Sequence, residues 1–415
     1  MKIAIIGSGI SGLVCAYLLQ RRHAVSVFEA GPRIGGHTHT VDVQLGERHY
    51  AVDTGFIVYN DWTYPNFIRL LEHLGVASRP TEMSFSVHDP KTRHEYNGNT
   101  LNSLFAQRSN LLSPPFWGML YDILRFNREA LRDLDQQKVS DVLSLGDYLL
   151  MNRYGQRFID HYIVPMGAAI WSMPLGQMLG FPLRFFVRFF KNHGLLSINQ
   201  RPQWRVIEGG SRSYLAPLCA PFAEHIRLNC PVLGVAREAH GVRLFTRDGT
   251  ELFDKVIFAC HSDEALLMLH DPSDAERQIL GALPYADNDV VLHTDTRLLP
   301  QRPLAWASWN YRLGGHASQP AAVTYNMNIL QGIDAPETFC VSLNQNAAID
   351  PAKILGRYTY AHPQFSLAGV RAQARQAEIC GPRHSYYCGA YWGNGFHEDG
   401  VLSALRVAAA FGEQL

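Results

Sequence analysis

Lys2–Ile6 reads KIAII, a continuous apolar run of the kind buried on both faces of a parallel sheet. After GSGISG the spacing changes, and Leu13, Ala16, Leu18 and Leu19 fall on a helical face. A second β-rich run, Ala24–Phe28, ends at Glu29. The order is strand, glycine turn, helix, strand, acid. Residues 226–260 alternate apolar and polar positions between turns at Ala239–Gly241 and Arg247–Gly249, which predicts strands joined by hairpins. Two more strands are predicted at Met83–Val87 and Arg93–Tyr96, joined at Asp89-Pro90. Phe116–Leu134, Leu145–Tyr154 and Gln156–Ile163 carry helical spacing. β-rich runs recur at Asp289–Thr294, Ala305–Tyr311, Ala322–Met327 and Thr338–Leu343. Near the end, Tyr386–Cys388 predicts a short strand meeting Gly389, and Asp399-Gly400 opens a helix from Val401.

The first of these patterns carries chemistry. Gly7 permits a tight turn, Gly9 lets backbone approach a pyrophosphate, and Gly12 lets helix pack on strand. The helix start, Ile10 and Ser11, offers free N–H groups and a positive dipole end to phosphate. Glu29, followed by Ala30, stands where a carboxylate accepts from ribose hydroxyls and disfavours a 2′-phosphate. Dinucleotide binding is the expectation.

Residues 29–40, EAGPRIGGHTHT, place a second glycine pair just beyond the acid. This resembles the RxGGR element of FAD-dependent amine oxidases, phytoene desaturases and protoporphyrinogen oxidases. The resemblance implies that Arg33, Gly35, Gly36, His37 and Thr38 run beside the pyrophosphate and the flavin. His37 replaces the second Arg, so one cationic phosphate contact becomes weaker or pH-dependent. The family likeness also implies that Gly55 and Phe56 face the flavin ring. By the same likeness the backbone of Val232 meets adenine, and the strand end at Ala259 returns to the cofactor. Gly389, Asp399, Gly400 and Val401 resemble the last FAD motif, although Leu405 stands where the family has a Gly. No second GxGxxG occurs, which points to a flavoenzyme without its own NAD(P)H domain. Non-covalent FAD is the expected cofactor, since a cysteinyl-flavin is not supported at Cys388. The strings DTGFIVYN, NHGLL, RPQWRVIEGGS and WASWNY resemble a bacterial subgroup of predicted NAD/FAD-binding proteins, some of them associated with modified fatty-acyl chains.

The expected fold class is α/β plus α+β. Residues 1–75, 206–262 and 384–415 form a discontinuous Rossmann-like FAD-binding domain. Residues 76–205 and 263–383 combine into an inserted substrate domain, a mixed sheet under a helical cap.

The expected activity is that of an FAD-dependent oxidoreductase removing hydride from an apolar or amine-type substrate, fatty-acyl chains among them. A flavin-dependent isomerase and a non-catalytic flavin-bearing lipid-binding protein stay open. His397 aligns with a family cage position over the flavin and is the candidate catalytic residue. The stretch where amine oxidases usually carry a Lys reads YADNDVV from Tyr285, with none. Tyr391, Trp392, Phe396, Trp306, Trp309, Asn310 and Tyr311 are candidate wall residues. His37 and His39 have HxH spacing but no third ligand, so no metal is expected.

Composition narrows the partners. Lys+Arg and Asp+Glu are 37 each, so no global basic field exists for nucleic acid. Seven scattered cysteines without a CxxC pair suit a reducing cytoplasm. The N-terminus lacks a signal-peptide pattern, and no apolar run is long enough to span a bilayer. Residues 180–191, GFPLRFFVRFFK, combine five phenylalanines with a stripe of Arg184, Arg188 and Lys191. That is either a peripheral membrane or acyl-gating helix, or a cap helix packed in the protein. The oligomeric state is open.

Overall fold

The computed structural model describes residues 1–197, 199, 201–314 and 321–415. Five parallel strands form the first sheet, in the order Ile226–Arg227, Ala24–Phe28, Lys2–Ile6, Lys255–Phe258, Ser385–Tyr387. Lys2–Ile6 is central, and its alternate side chains enter two different cores. Ile3 and Ile5 pack with the helices Ile10–Leu19 and His397–Ala409, while Ala4 and Ile6 pack with Val235, Val242 and Leu244. Coverage of both faces is why the strand is apolar throughout. The second core is supplied by the meander Val232–Glu238, Gly241–Thr246, Gly249–Phe253.

A seven-stranded sheet holds the other half of the molecule. Its order is Ile354–Pro363, Tyr285–His293, Cys340–Leu343, Val323–Asn326, Trp309–Arg312, Phe85–Asp89, His94–Asn97. The Trp309–Arg312 strand lies parallel to Phe85–Asp89, so one sheet draws strands from two distant stretches of chain. Ile354–Pro363 has no counterpart among the strands expected from sequence. Its exposed positions are Leu355, Arg357 and Thr359, and its other side carries Tyr358, Tyr360 and His362 rather than a run of aliphatic residues. The Ala305–Tyr311 run is corrected to a turn at Pro303–Ala305 followed by the shorter strand Trp309–Arg312.

Helices over residues 101–192 cover this sheet. Pro114–Asp135 matches its expected helix closely. Leu145–Met151 stops earlier than expected, because Arg153 turns left-handed at φ 53°. The helix from Gln156 runs on, through one wide turn at Ile159–Ile163, to Trp171 despite Pro165. Pro165 has no N–H for the His161 carbonyl, and the Tyr96 hydroxyl donates to it instead, at 2.7 Å.

The Phe-rich stretch forms the helix Leu183–Asn192. Phe181, Phe186, Phe189 and Phe190 are buried, and Phe185 packs on Phe365. Arg184 pairs with Asp141 at 3.0 Å and Lys191 with Asp135 at 2.7 Å. The phenylalanines therefore face the protein, as a packed cap helix requires. The last helix begins at His397, not Val401. Asp399 accepts from the Phe396 N–H at 2.9 Å, which fixes that start one turn earlier.

Candidate functional site

A cavity of about 850 Å³ lies at the carboxyl ends of the parallel strands and runs on beneath the large sheet. Gly7, Gly9, Ile10 and Ser11 form one wall, at the start of the Ile10–Leu19 helix. A Cβ at Gly9 would meet no protein atom within 4 Å, whereas at Gly12 it would sit 2.0 Å from the Gly7 carbonyl oxygen. Gly9 thus leaves room for a ligand, and Gly12 closes helix on strand behind it. Glu29 and Ala30 come next on the wall. The Glu29 carboxylate is held by the Ser8 N–H at 3.0 Å, the Ser8 hydroxyl at 2.5 Å and the Gly31 N–H at 2.8 Å. Gly35, Gly36 and His37 continue the wall, and Val232, Ala259 and Gly389 close it. The Nε2 atom of His37 is buried there without a hydrogen-bond partner.

Six residues expected at the cofactor do not reach the wall. Gly12 is one, for the packing reason just given. Arg33 turns away, and its guanidinium donates to the Thr38 carbonyl at 3.1 Å. Thr38 is buried with its hydroxyl bonded to Tyr214. Asp399 is consumed in capping its helix. The Gly400 carbonyl accepts from the Ser11 hydroxyl at 3.0 Å, and Val401 is fully buried in the core. Cys388 likewise faces Cys15 inside the protein, 3.8 Å away.

His397 does line the cavity, beside Gly55 and Phe56. Its ring stacks on Phe56 at 3.5 Å between centroids. Its Nε2 atom lies 3.0 Å from the Thr38 hydroxyl and 3.1 Å from the Tyr214 hydroxyl. Burial pushes its pKa down to about 3. A neutral ring with Nε2 already engaged is suited to positioning Phe56, not to moving protons near neutral pH. Behind this pair, the Asp53 carboxylate accepts from Thr40 at 2.6 Å, Ser211 at 2.9 Å and Gln331 at 2.9 Å. Burial raises its pKa to about 6.

The sequence reading missed most of the second lobe. Alternate residues of Ile354–Pro363 bring Tyr360 and His362 toward the glycine-rich end, where the His37 ring stacks on His362 at 5.4 Å and lies tilted against Tyr360 at 5.3 Å. Asn288 donates its amide to His362 Nδ1 at 3.2 Å, which leaves the ring proton on Nε2. Burial lowers the His362 pKa to about 4. Period-2 spacing of Tyr358, Tyr360 and His362 was the available signal. Met83, Phe85, Tyr162, Met166, Phe189 and Tyr325 extend the lobe, and Arg201 stands exposed on its wall. Among the candidate wall residues, Tyr391, Phe396 and Trp309 line the cavity. Trp392 packs in the core, Trp306 donates to the Pro300 carbonyl, and Asn310 and Tyr311 lie within the sheet. His39 bonds the Tyr360 hydroxyl at 2.7 Å.

Comparison with known proteins agrees with this geometry. The L-amino acid dehydrogenase of Synechocystis is 24% identical over 261 residues, 59% of this chain and 52% of that protein. The pseudooxynicotine dehydrogenase of a Pseudomonas species is 24% identical over 269 residues, 61% of this chain and 50% of that protein. The chain thus spans about half the length of these curated relatives. Cyclohexylamine oxidase from Brevibacterium oxydans shares the fold over 99% of this chain and 98% of its own, at TM-score 0.69 and 16% identity. A fatty acid isomerase from P. acnes does so over 99% and 98%, at TM-score 0.72 and 15% identity. The sequence profile of the flavin containing amine oxidoreductases matches residues 10–319, and the chain belongs to that family.

Proposed function

We propose that the chain is an FAD-dependent oxidoreductase acting on an apolar chain with an anionic end, a fatty-acyl compound. The observation that carries this reading is the lining of the second lobe. Its wall is apolar and aromatic, and Arg201 is the charged side chain on it. The carboxylates lining the cavity, Glu29 and Glu264, belong to the glycine-rich end. A cationic amine in the lobe would meet no carboxylate, so its charge would go unpaired. An acyl chain buries its methylenes there and sets its carboxylate or ester against Arg201.

The residues present fit FAD. Gly9 leaves an open approach, Glu29 is fixed for a ribose, and the His37 Nε2 has no partner in the protein. Ile10 and Ser11 offer helix N–H groups to the pyrophosphate. Val232 and Ala259 would hold the adenine half, and Gly55, Phe56 and Gly389 the flavin half. FAD supplies hydride acceptance when bound. The lobe binds and orients the chain and excludes water, while His397 holds Phe56 in place. We assign the cofactor part to residues 1–75, 206–262 and 384–415, and the substrate part to 76–205 and 263–383. The seven free cysteines support a cytoplasmic location. Among the described residues no helix is long and apolar enough to cross a membrane.

The test is the visible spectrum of purified protein during anaerobic substrate addition. Oxidised-flavin absorbance that bleaches with a fatty-acyl compound, and not with alkyl amines, supports the reading. Bleaching with amines alone overturns the substrate class. Conversion of an acyl compound without net redox change moves the activity to isomerisation, and the shared fold of the P. acnes fatty acid isomerase keeps that reading in play.

A further inference from the structure

The Phe-rich helix turns inward, but another surface does not. Leu111 is 48% exposed and Leu112 89%, Trp117 50%, Tyr121 62% and Leu124 52%. Trp117, Tyr121 and Leu124 share the outer stripe of the Pro114–Asp135 helix, and the Trp117 indole donates to the Leu111 carbonyl at 3.0 Å. These groups therefore form one contiguous patch. Isolated exposed apolar residues need no explanation, but a continuous patch of this kind does.

We infer that this patch docks the protein on an anionic phospholipid bilayer. Charge selects that occupant. From Gly98 to Arg128 the only acidic residue is Asp122, which is buried and tied to the Gly155 N–H and Arg125. Arg108 and Arg128 are exposed on the same segment, and among the described residues neither has a carboxylate partner. Arg108 is instead pinned to the Phe105 carbonyl and the Asn102 side chain. An apolar face carrying Trp and Tyr, flanked by arginines, matches an interfacial surface over anionic headgroups. A second copy of the chain fits less well, because a two-fold contact would set the same arginines against each other.

Position supports the assignment. Gly98 and Asn99 lie on the cavity wall and are exposed, and the helix Leu101–Leu104 follows directly, with Leu101 79% exposed. The patch therefore adjoins one opening of the cavity. A chain drawn from a bilayer would cross little water on its way to the lobe. The surface itself stands on exposure and charge, whatever the enzyme's substrate proves to be.

The test is co-sedimentation of the flavin-loaded protein with phosphatidylcholine vesicles and with vesicles containing phosphatidylglycerol. Binding to the anionic vesicles is expected, weakening with salt. Leu112→Asp/Tyr121→Asp should lower that binding by roughly tenfold or more. Arg108→Glu/Arg128→Glu should lower binding to the anionic vesicles and leave the neutral ones unchanged. Flavin absorbance and melting temperature report that each variant is folded, and Leu112→Ser at the most exposed position is the milder replacement. Three results overturn the inference: no binding by the unaltered protein, equal binding by both double variants, or a solution dimer that Leu112→Asp/Tyr121→Asp dissociates. Vesicle binding by a protein that turns over no acyl compound would uphold this surface while overturning the proposed activity.

Discussion

Gly9 and Gly12 are three residues apart, and their surroundings make opposite demands on a side chain. At Gly9 an added Cβ points into open cavity, and at Gly12 it collides with backbone. Gly9→Trp should therefore fold and fail to retain FAD, read as flavin absorbance per mole of protein. A fully flavinylated Gly9→Trp protein would refute the cofactor placement. His397 makes a second residue-scale test. Its pKa near 3 keeps it neutral throughout the physiological range. His397→Phe should leave the pH dependence of turnover between pH 6 and 8 unchanged and cost about 1–2 kcal/mol in stability, since it removes the hydrogen bonds to Thr38 and Tyr214. A pH profile that loses an ionisation in the variant would return His397 to proton transfer. The glycine positions were legible because backbone approach demands the absence of a side chain. The hydrogen bonds of His397 were not, because Thr38 and Tyr214 come from distant segments.

At the scale of the element, periodicity located the longest helices and most strands but not their ends, and it did not anticipate the helices Pro65–His73, Ser262–Met268 and Asp274–Leu280. The helical spacing from Gln156 was read only as far as Ile163, and Pro165 lies just beyond it. The helix continues because a residue of another strand, Tyr96, satisfies the orphaned His161 carbonyl. Tyr96→Phe should therefore destabilise the protein by about 1–2 kcal/mol, the cost of removing this half-buried hydrogen bond. Urea unfolding of the two proteins measures it, and a difference below about 0.5 kcal/mol would mean that water replaces the hydroxyl. The strand Ile354–Pro363 was missed for a related reason. Its inward side is aromatic rather than aliphatic: His362 lines the cavity, while Tyr358 and Tyr360 pack against His39. The cofactor end was thus readable from local motifs. The substrate end was not, because its wall is assembled from single residues of many elements.

At the scale of the molecule, buried imidazoles should decide the response to acid. Burial holds His88, His94, His193, His293 and His362 near pKa 4, and His397 near 3. His293 illustrates the constraint. Its Nδ1 accepts the Asp295 N–H at 3.0 Å and its Nε2 lies 2.8 Å from the Ser342 hydroxyl, so a second ring proton would face a donor. A histidine with a depressed folded pKa contributes stability that is fully present above the unfolded value of 6.5 and is lost as pH falls toward 4. Asp53 and Asp399 act in the opposite sense. Burial raises both to about 6, so each loses stability as pH rises through that value. Six imidazoles outweigh two carboxylates between pH 7 and 5, where the unfolded chain binds the larger number of protons. Stability should therefore fall on acidification, by on the order of 5 kcal/mol over that interval, comparable with the whole folding free energy of many domains. Urea midpoints at pH 7.5, 6 and 5 test this. His293→Gln should flatten the slope, since one of the proton-binding differences is removed. Stability that rises toward pH 5 would show that the carboxylates govern instead and that the histidines accept protons without disturbing the fold.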